Sequence, residues 1–225
     1  MTRKTVLVTG GSRGIGRAIC DELSGDYHLL VGGTSSQSVG SVVAELHSAE
    51  PFVCDLTQPD ELQKAVARIS HLDAIVLNAG MAFSSTIAST DHADWQRMLG
   101  LNVIAQADLI RMTLPLLRES RGQVVAINSG AGFHSGIGSG PYAASKFALR
   151  ALTDALREEE RGTVRVSSIH PGRVDTDMQV ELQTAAGRTY RPSDHLKPYS
   201  IARVVRTVLE APEDGTVEVV SVRPI

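Results

Sequence analysis

The sequence has few of the residues that mark extracellular, membrane or nucleic-acid-binding proteins. Its two cysteines, Cys20 and Cys54, are too few for a disulfide framework, so we expect both to be free buried thiols. No apolar run is long enough for a signal-peptide core or a membrane-spanning helix. A formal net charge of -3 gives no general attraction to nucleic acid or anionic lipid. We therefore expect a cytoplasmic protein that acts on a small molecule, without a nucleic-acid or membrane partner.

The sequence also lacks the usual patterns of a metal site. Its seven histidines form no His-Glu-x-x-His motif and no cluster with cysteine, so no metal is predicted. We expect each histidine at the surface or at its boundary. His134 is the exception, because with Phe133, Met81 and Phe83 it could line a substrate pocket. A solvent-facing loop is the other interpretation of His134.

What is present is a regular alternation of short apolar runs with helical patterns, which predicts an α/β fold. The expected strands are Thr5 to Thr9, Tyr27 to Gly33, Pro51 to Cys54, Ala74 to Leu77, Gln123 to Asn128, Arg165 to His170 and Val217 to Val222. The expected helices are Gly14 to Leu23, Ser38 to His47, Pro59 to Ile69, Asp91 to Leu117, Gly140 to Glu160 and Ser200 to Leu209. This order predicts a doubly wound, mostly parallel sheet with helices on both faces. No linker divides the chain, so residues 1–225 are expected to form one domain, with Gln179 to Pro198 as an irregular surface excursion.

A glycine-rich turn follows the first expected strand. The sequence Thr9-Gly10-Gly11-Ser12-Arg13-Gly14-Ile15-Gly16 leads directly into a helix. Glycines at 10, 14 and 16 permit a tight turn, a close approach of the backbone to a pyrophosphate, and close packing of helix on strand. The helix amino terminus offers unpaired N–H groups to an anion. The turn therefore predicts a dinucleotide site, although its spacing is G-x-x-x-G-x-G rather than the common G-x-G-x-x-G.

The end of the second expected strand carries no carboxylate. Thr34 and Ser35 stand where an Asp or Glu would bind the ribose 2′-hydroxyl of NAD and repel a 2′-phosphate. With Arg13 in the turn and hydroxyl donors at Thr34 and Ser35, the sequence favours NADP(H). If Arg13 instead points into water, both cofactors would bind.

A set of three residues, Ser129, Tyr142 and Lys146, indicates carbonyl or alcohol chemistry. Tyr142 and Lys146 stand four residues apart, which places them on one face of a helix. The pKa of an unperturbed tyrosine is about 10, and a neighbouring ammonium is expected to lower it toward neutrality. The hydroxyl of Ser129 could hold the oxygen that exchanges a proton with Tyr142.

With Gly10 to Gly16, Asn78-Ala79-Gly80, Ser129, Tyr142-x-x-x-Lys146 and Pro171-Gly172 in this order, the chain resembles the short-chain dehydrogenase/reductase family. The resemblance extends from Thr9 to Thr176. It implies a seven-stranded Rossmann fold, a nicotinamide cofactor, and Ser129, Tyr142 and Lys146 as catalytic residues. It also implies that Asn102 is a fourth active-site residue, which holds a water that links the lysine to solvent.

The resemblance implies further cofactor contacts. Asp55, followed by Leu56, matches the family's acid near the adenine, although Asp55 could also be the N-cap of the next helix. Leu77 replaces the first asparagine of the family's Asn-Asn-Ala-Gly motif, which would affect stability more than chemistry. The predicted cofactor-binding residues are Gly10, Ser12, Arg13, Gly14, Ile15, Gly16, Thr34, Ser35, Asp55, Leu56, Asn78, Ala79, Gly80, Tyr142, Lys146, Pro171, Gly172, Val174 and Thr176.

We therefore expect an NADPH-dependent oxidoreductase that transfers a hydride between the nicotinamide and a carbonyl or alcohol substrate. An NAD-dependent alcohol dehydrogenase and a non-catalytic NADP(H)-sensing protein are the alternatives. Arg188 and Arg191 lie where the family carries its substrate lid, and they could meet an anionic substrate or belong to a solvated loop. Small residues from Ala144 to Ala155 suit packing on the sheet or pairing of subunits. By resemblance, a homodimer or homotetramer is expected.

Overall fold

The computed structural model describes residues 3–185 and 187–225, which form one seven-stranded sheet. The strands are β1 (Thr5–Val8), β2 (His28–Gly33), β3 (Ala49–Val53), β4 (Ala74–Leu77), β5 (Gln123–Ile127), β6 (Arg165–Pro171) and β7 (Val219–Val222). Their order is β3-β2-β1-β4-β5-β6-β7, and every pair of neighbours is parallel. The prediction of a doubly wound, seven-stranded sheet is confirmed.

Helices cover both faces of this sheet. They are α1 (Gly14–Leu23), α2 (Ser36–Glu45), α3 (Pro59–Val66), α4 (His92–Leu99), α5 (Ala105–Ser120), α6 (Gly140–Glu159), α7 (Asp177–Ala185) and α8 (Pro198–Leu209). One apolar core joins α1, α2 and α8 to one face of the sheet, and a second joins α3, α5 and α6 to the other.

The central strands are apolar throughout because both of their faces are covered. In β1, Val6 and Val8 enter the first core and Leu7 enters the second, and all three are fully buried. Such strands cannot show the alternation of a half-exposed sheet. The edge strands β3 and β7 are more exposed, which explains why they begin two residues away from their expected starts.

The chain reverses direction across the sheet between β1 and β4. From β1 it moves outward through β2 and β3, and after β4 it moves outward on the other side through β5, β6 and β7. In open α/β sheets, ligands bind beside the carboxyl ends of the strands at this switch point. The turn after β1 and the Asn78-Ala79-Gly80 segment after β4 meet there.

Two helical regions differ from the prediction. The single helix expected from Asp91 to Leu117 is divided into α4 and α5 by a wide π-helical turn, Gly100–Ile104. The excursion expected to be irregular contains most of α7 and a short 3₁₀ turn, Pro192–Asp194. The first difference reorients the chain around Asn102, and the second places an ordered helix beside the carboxyl ends of the strands.

Three predictions from the sequence can also be compared with the fold. Cys20 and Cys54 are free and buried, as expected. Within the described residues, no helix is both long enough and apolar enough to cross a membrane. Nor do those residues contain a group of three or more His, Cys, Asp or Glu side chains that could hold a metal ion.

Candidate active site

A groove of about 790 Å³ runs along the carboxyl ends of the strands. It brings together most of the predicted site residues: Gly10, Ser12, Arg13, Gly14, Ile15, Thr34, Asp55, Leu56, Asn78, Ala79, Gly80, Tyr142, Lys146 and Thr176. The other predicted residues, which are Gly16, Ser35, Asn102, Ser129, Pro171, Gly172 and Val174, are not among its lining residues. A volume of this size is typical of a site for a small molecule or cofactor.

The turn between β1 and α1 has the backbone conformation that its glycines permit. Gly10 and Gly14 have φ of 62° and 57°, in the left-handed region that favours glycine. A Cβ on Gly16 would lie 2.1 Å from the carbonyl oxygen of Gly10. Position 16 therefore has no room for a side chain, because the helix packs closely on the turn. The first turn of α1 presents its N–H groups to the groove.

Asn78 fastens this turn to the end of β4. Its amide Nδ2 donates to the carbonyls of Thr9 and Gly10, at 2.9 and 3.1 Å. The hydroxyl of Thr9 accepts from the backbone N–H groups of Asn78 and Ala79, both at 2.9 Å. The two chain segments at the switch point are thus held by four hydrogen bonds, so the floor of the groove is fixed before any ligand binds.

Residues at the far end of the groove follow β2 and β3. Thr34 lines the groove, whereas the Ser35 Oγ caps α2 by accepting from the N–H of Ser38 at 3.3 Å. Asp55 uses one carboxylate oxygen to accept from the N–H and hydroxyl of Thr57, at 2.9 and 2.8 Å. The N-cap of α3 is Gln58, so the alternative role of Asp55 as the cap of that helix is wrong.

Arg13 and Arg17 lie four residues apart but have different surroundings. Arg17 is paired with Asp21 at 2.8 Å and with Glu45 at 2.6 Å. Arg13 is exposed at the N-cap of α1, lines the groove and has no ion-pair partner within the described part of the chain. Of these two arginines, Arg13 is the one whose charge is available to a ligand.

Tyr142 and Lys146 lie on successive turns of α6 at the other end of the groove. The Lys146 Nζ lies 5.8 Å from the centroid of the Tyr142 ring and donates to the carbonyl of Ile127 at 3.1 Å. Lys146 is only 7% exposed, and this burial lowers its pKa to about 8. Ser129 lies on the turn after β5, where its Oγ accepts from the Ala131 N–H at 3.1 Å, and its hydroxyl acts on the pKa of the Tyr142 phenol.

The expected lowering of the Tyr142 pKa is wrong for this structure. Burial of the phenol raises its pKa, and the neighbouring Ser129 hydroxyl opposes that rise only in part. Lys146 does not reverse the shift because its ammonium is bound to the Ile127 carbonyl and is itself destabilised by burial. At neutral pH Tyr142 therefore keeps its proton, which is the form needed to protonate an oxygen.

Asn102 lies in the π-helical turn with its side-chain amide engaged on both sides. Its Oδ1 accepts from the Met81 N–H at 2.8 Å, while Nδ2 donates to the Met81 carbonyl at 2.9 Å and to the Ser145 hydroxyl at 3.0 Å. Ser145 in turn donates to the carbonyl of Tyr142 at 2.7 Å. The amide thus joins the groove wall to α6, and a water at this residue stays a prediction.

The segment after β6 closes the groove from the side of α7. A Cβ on Gly14 would lie 3.5 Å from the Thr176 methyl group, so Thr176 faces the glycine turn. Val174 forms a bridge with Leu196, which holds this segment to the stretch before α8. Pro171 ends β6, and Gly172 donates to the Val222 carbonyl at 2.7 Å, which supports the turn from behind the groove.

The expectation that every histidine lies at or near the surface is wrong for two of them. His170 is fully buried and His195 is 8% exposed. The His170 Nδ1 lies 2.9 Å from the Ser129 carbonyl and its ring stacks on Phe133 with centroids 4.2 Å apart. A histidine at the end of a predicted strand, directly before Pro171-Gly172, was the available signal.

The aromatic and basic residues considered for the substrate pocket have different fates. Met81 lines the groove, Phe83 lies beside Arg97 with the guanidinium 5.8 Å from the ring, and His134 is exposed. Arg188 and Arg191 are exposed on the excursion. Tyr190 between them donates to the Asp175 carboxylate at 2.5 Å, so the excursion is attached to the segment before Thr176.

Comparison with known proteins agrees with this arrangement. Residues 4–187 match the family described as short chain dehydrogenase. The chain belongs to the short-chain dehydrogenase family. An uncharacterized oxidoreductase of Staphylococcus epidermidis, 33% identical over 231 residues, covers 99% of this chain and 97% of its own length. As a member of this family the chain is an oxidoreductase.

Two solved structures of dehydrogenases share the whole fold of this chain. An alcohol dehydrogenase from the archaeon Thermococcus sibiricus, solved with 5-hydroxy-NADP, superposes with a TM-score of 0.89 at 25% identity, over 100% of this chain and 97% of that one. A putative gluconate dehydrogenase from Agrobacterium tumefaciens superposes with a TM-score of 0.90 at 26% identity, over 98% and 94%.

Proposed function

We propose that this short-chain dehydrogenase interconverts a carbonyl compound and an alcohol with NADP(H), using Ser129, Tyr142 and Lys146 as catalytic residues. The observation that carries the proposal is that Tyr142 and Lys146 line the same continuous groove as Gly10 and Gly14. A dinucleotide held by the glycine turn would extend along this groove toward the phenol. The proton donor and the cofactor site therefore share one cavity.

The groove has the features that a dinucleotide requires. The left-handed glycines at 10 and 14 let the backbone approach a pyrophosphate, and the start of α1 offers N–H groups to it. In this proposal, Asp55 and Leu56 hold the adenine side, and Asn78 to Gly80 support the adenosine. Pro171 to Thr176 hold the nicotinamide amide and the phosphates. Bound NADPH would supply the hydride.

The protein's own part is to hold the substrate oxygen and to give it a proton. Ser129 and Tyr142 would both donate hydrogen bonds to the carbonyl oxygen, whose negative charge develops during reduction. Tyr142 keeps its proton at neutral pH because burial raises its pKa, so it can transfer that proton to the oxygen. Lys146 has N–H groups besides the one bound to Ile127, and these can hold the ribose and the phenolate that forms.

The surroundings of Arg13 support a preference for NADP(H) over NAD(H). At the end of β2 the groove is lined by Gly33 and Thr34, and no carboxylate stands there to repel a 2′-phosphate. Arg13 lines the same groove, and its charge has no ion-pair partner among the described residues. The similar enzyme from Thermococcus sibiricus was solved with an NADP derivative, which agrees with this preference.

Titration of the purified protein with NADPH and NADH tests this preference. We expect NADPH to bind about tenfold or more tightly, a difference of about 1.4 kcal/mol or more. Arg13→Ala should remove most of that difference by weakening NADPH alone. Arg17→Ala is the matched control, because Arg17 is already paired with Asp21 and Glu45 and should not affect the preference. Equal dissociation constants for the two cofactors in the wild type would reject the preference.

Turnover is tested by cofactor oxidation over a panel of ketones and aldehydes. Tyr142→Phe should lower kcat by a factor of roughly 10² to 10⁴ while NADPH still binds, because it removes only the proton donor. Tyr199→Phe is the matched control, since Tyr199 is 54% exposed on α8. Substantial turnover in Tyr142→Phe would reject the catalytic assignment. Tight NADPH binding without turnover of any carbonyl in the wild type would favour a sensing protein instead.

We also propose that the chain pairs with itself through α6. Ala144, Ala151 and Ala155 are exposed rather than packed on the sheet, so packing on the sheet does not explain them. Phe147 on the same helix is 42% exposed, and Ile104 at the end of the π-helical turn is 60% exposed. Light scattering should give the mass of a dimer or tetramer, and Phe147→Glu should shift it toward the monomer. A monomeric wild type would reject this pairing.

A further inference from the structure

His170 is a buried polar residue for which the proposed catalytic scheme has no use. It lies one residue before the end of β6 and is fully buried. Its Nε2 lies 2.9 Å from the Ser168 hydroxyl, and its Nδ1 lies 2.9 Å from the Ser129 carbonyl. Burial lowers its pKa, so the imidazole is neutral at physiological pH.

The hydrogen bonds of His170 determine its tautomer. A backbone carbonyl can only accept, so the contact with Ser129 requires the proton on Nδ1. Nε2 is then unprotonated and accepts the proton of the Ser168 hydroxyl. Both ring nitrogens are satisfied, which is the condition for burying an imidazole without a large cost. The ring is further held by stacking on Phe133, and an Arg223 guanidinium donates to the His170 carbonyl.

Ser129 is held at its backbone on both sides. Its N–H donates to the Asn128 Oδ1 at 2.9 Å, and its carbonyl accepts from the Gly132 N–H at 3.0 Å as well as from His170. β5 ends at Ile127, so no strand hydrogen bonds fix this residue. The Ser129 Oγ accepts only from the nearby Ala131 N–H, at 3.1 Å, among the described residues. The position of Ser129 therefore depends on these few contacts, of which the bond from His170 comes from a distant part of the chain.

We propose that His170 is a positioning residue that fixes Ser129, and thereby sets the place of its hydroxyl relative to Tyr142. This proposal rests on the proposed role of Ser129 in holding the substrate oxygen. His170 touches neither substrate nor cofactor in this account. It acts through the backbone of Ser129 by connecting the end of β6 to the turn after β5.

Replacing His170 by phenylalanine tests the role in turnover. His170→Phe keeps an aromatic ring against Phe133 but removes the donor to the Ser129 carbonyl. Small misplacements of catalytic groups cost up to about 100-fold, so we expect kcat to fall roughly 10- to 100-fold. KM and the NADPH dissociation constant should change by less than about threefold, because the negative charge that Ser129 stabilises develops only during reduction and His170 itself contacts neither ligand. His170→Asn, whose amide can replace the Nδ1 donor, should recover most of the lost kcat, and Ser168→Ala should leave kcat close to wild type.

A double-mutant comparison separates positioning from general damage. If His170 acts through Ser129, His170→Phe should cause no further loss of kcat in a Ser129→Ala background. An undiminished loss in that background would overturn the proposal. So would a failure of His170→Asn to perform better than His170→Phe. Thermal unfolding of each variant shows whether it is folded, and the asparagine variant carries the test if the phenylalanine variant is not.

Two measurements on the protein without substrate keep this proposal distinct from the proposed function. Nitrogen NMR of the wild type should show the His170 ring with its proton on Nδ1, and a proton on Nε2 would overturn the assignment. His170→Phe should raise the pKa of Tyr142 in the same direction as Ser129→Ala, and an unchanged pKa would also overturn it. If the wild type reduces no carbonyl, the proposed function fails, while these two measurements still decide the role of His170.

Discussion

A methyl group added to Gly16 tests the close packing of helix α1 on the turn after β1. The new Cβ of Gly16→Ala would lie 2.1 Å from the Gly10 carbonyl oxygen and 2.5 Å from the Asn78 Nδ2. Both distances are far below van der Waals contact, and the first is to a backbone atom that cannot rotate away. The turn and the start of α1 must therefore separate.

The cost follows from the contacts that this separation affects. Overpacking of a tight site costs about 1 to 3 kcal/mol. Loss of the two Asn78 hydrogen bonds to Thr9 and Gly10 adds about 1 kcal/mol each, which the higher helix propensity of alanine offsets by at most about 1 kcal/mol. We expect a net loss of about 3 kcal/mol in the free energy of unfolding. For a chain of this size that corresponds to a Tm lower by about 10 °C.

Gly40→Ala is the matched control, because Gly40 lies in α2 and no heavy atom lies within 4 Å of its added Cβ. It should raise the free energy of unfolding by about 0.5 to 1 kcal/mol through helix propensity alone. Thermal unfolding followed by circular dichroism gives both shifts, and NADPH titration should show a loss of binding in Gly16→Ala alone. A Gly16→Ala protein with wild-type Tm and wild-type NADPH affinity would refute the packing argument.

Three further predictions concern the surroundings of the site. The Lys146 pKa of about 8 lies below its ordinary 10.5, so at this residue the unfolded state binds more protons between these values, and the contribution of Lys146 to stability rises with pH there. In urea unfolding, the free energy of the wild type relative to Lys146→Met should therefore be higher at pH 10 than at pH 8, and an unchanged difference would contradict this. Tyr190→Phe removes the bond to Asp175 and should speed protease cleavage between residues 177 and 197, with no change if that bond does not hold the excursion. Asn102→Ala leaves the N–H and carbonyl of Met81 without their amide partner and should cost about 2 to 3 kcal/mol in urea unfolding, whereas a cost near zero would show that water replaces the amide.

The sequence was sufficient for features that depend on local chemistry. The strands next to the switch point are continuous apolar runs, and the glycines at 10 and 14 adopt conformations that few other residues could. The family motifs then indicated which residues meet at the carboxyl ends of the strands. For these reasons the sheet, the glycine turn and the shared groove of Tyr142 and Lys146 were predictable.

Features that depend on contacts between distant residues were not predictable. His170 can be buried because the carbonyl of Ser129, 41 residues away, accepts a hydrogen bond from its ring. The spacing of Tyr142 and Lys146 predicted their proximity but not the burial that raises the phenol's pKa. Helix α7 has little apolar pattern, since Met178 and Val180 are exposed, so its helical character was hidden in the sequence. That the whole chain is one domain stays a prediction, which a single unfolding transition would support.

The π-helical turn Gly100–Ile104 has a consequence for how this enzyme can vary in length. Each residue of an α-helix turns the chain by about 100°, so one residue more or fewer between α4 and α5 rotates everything that follows by that angle. The rotation of the chain at this turn directs Asn102 and Gln106 toward the segment that follows β4. There the two amides bond to Met81 and to the Ala79 carbonyl. A one-residue deletion here would point both amides away from Met81 and Ala79 while leaving the helix itself intact. The count of residues in this turn is therefore as constrained as their identity.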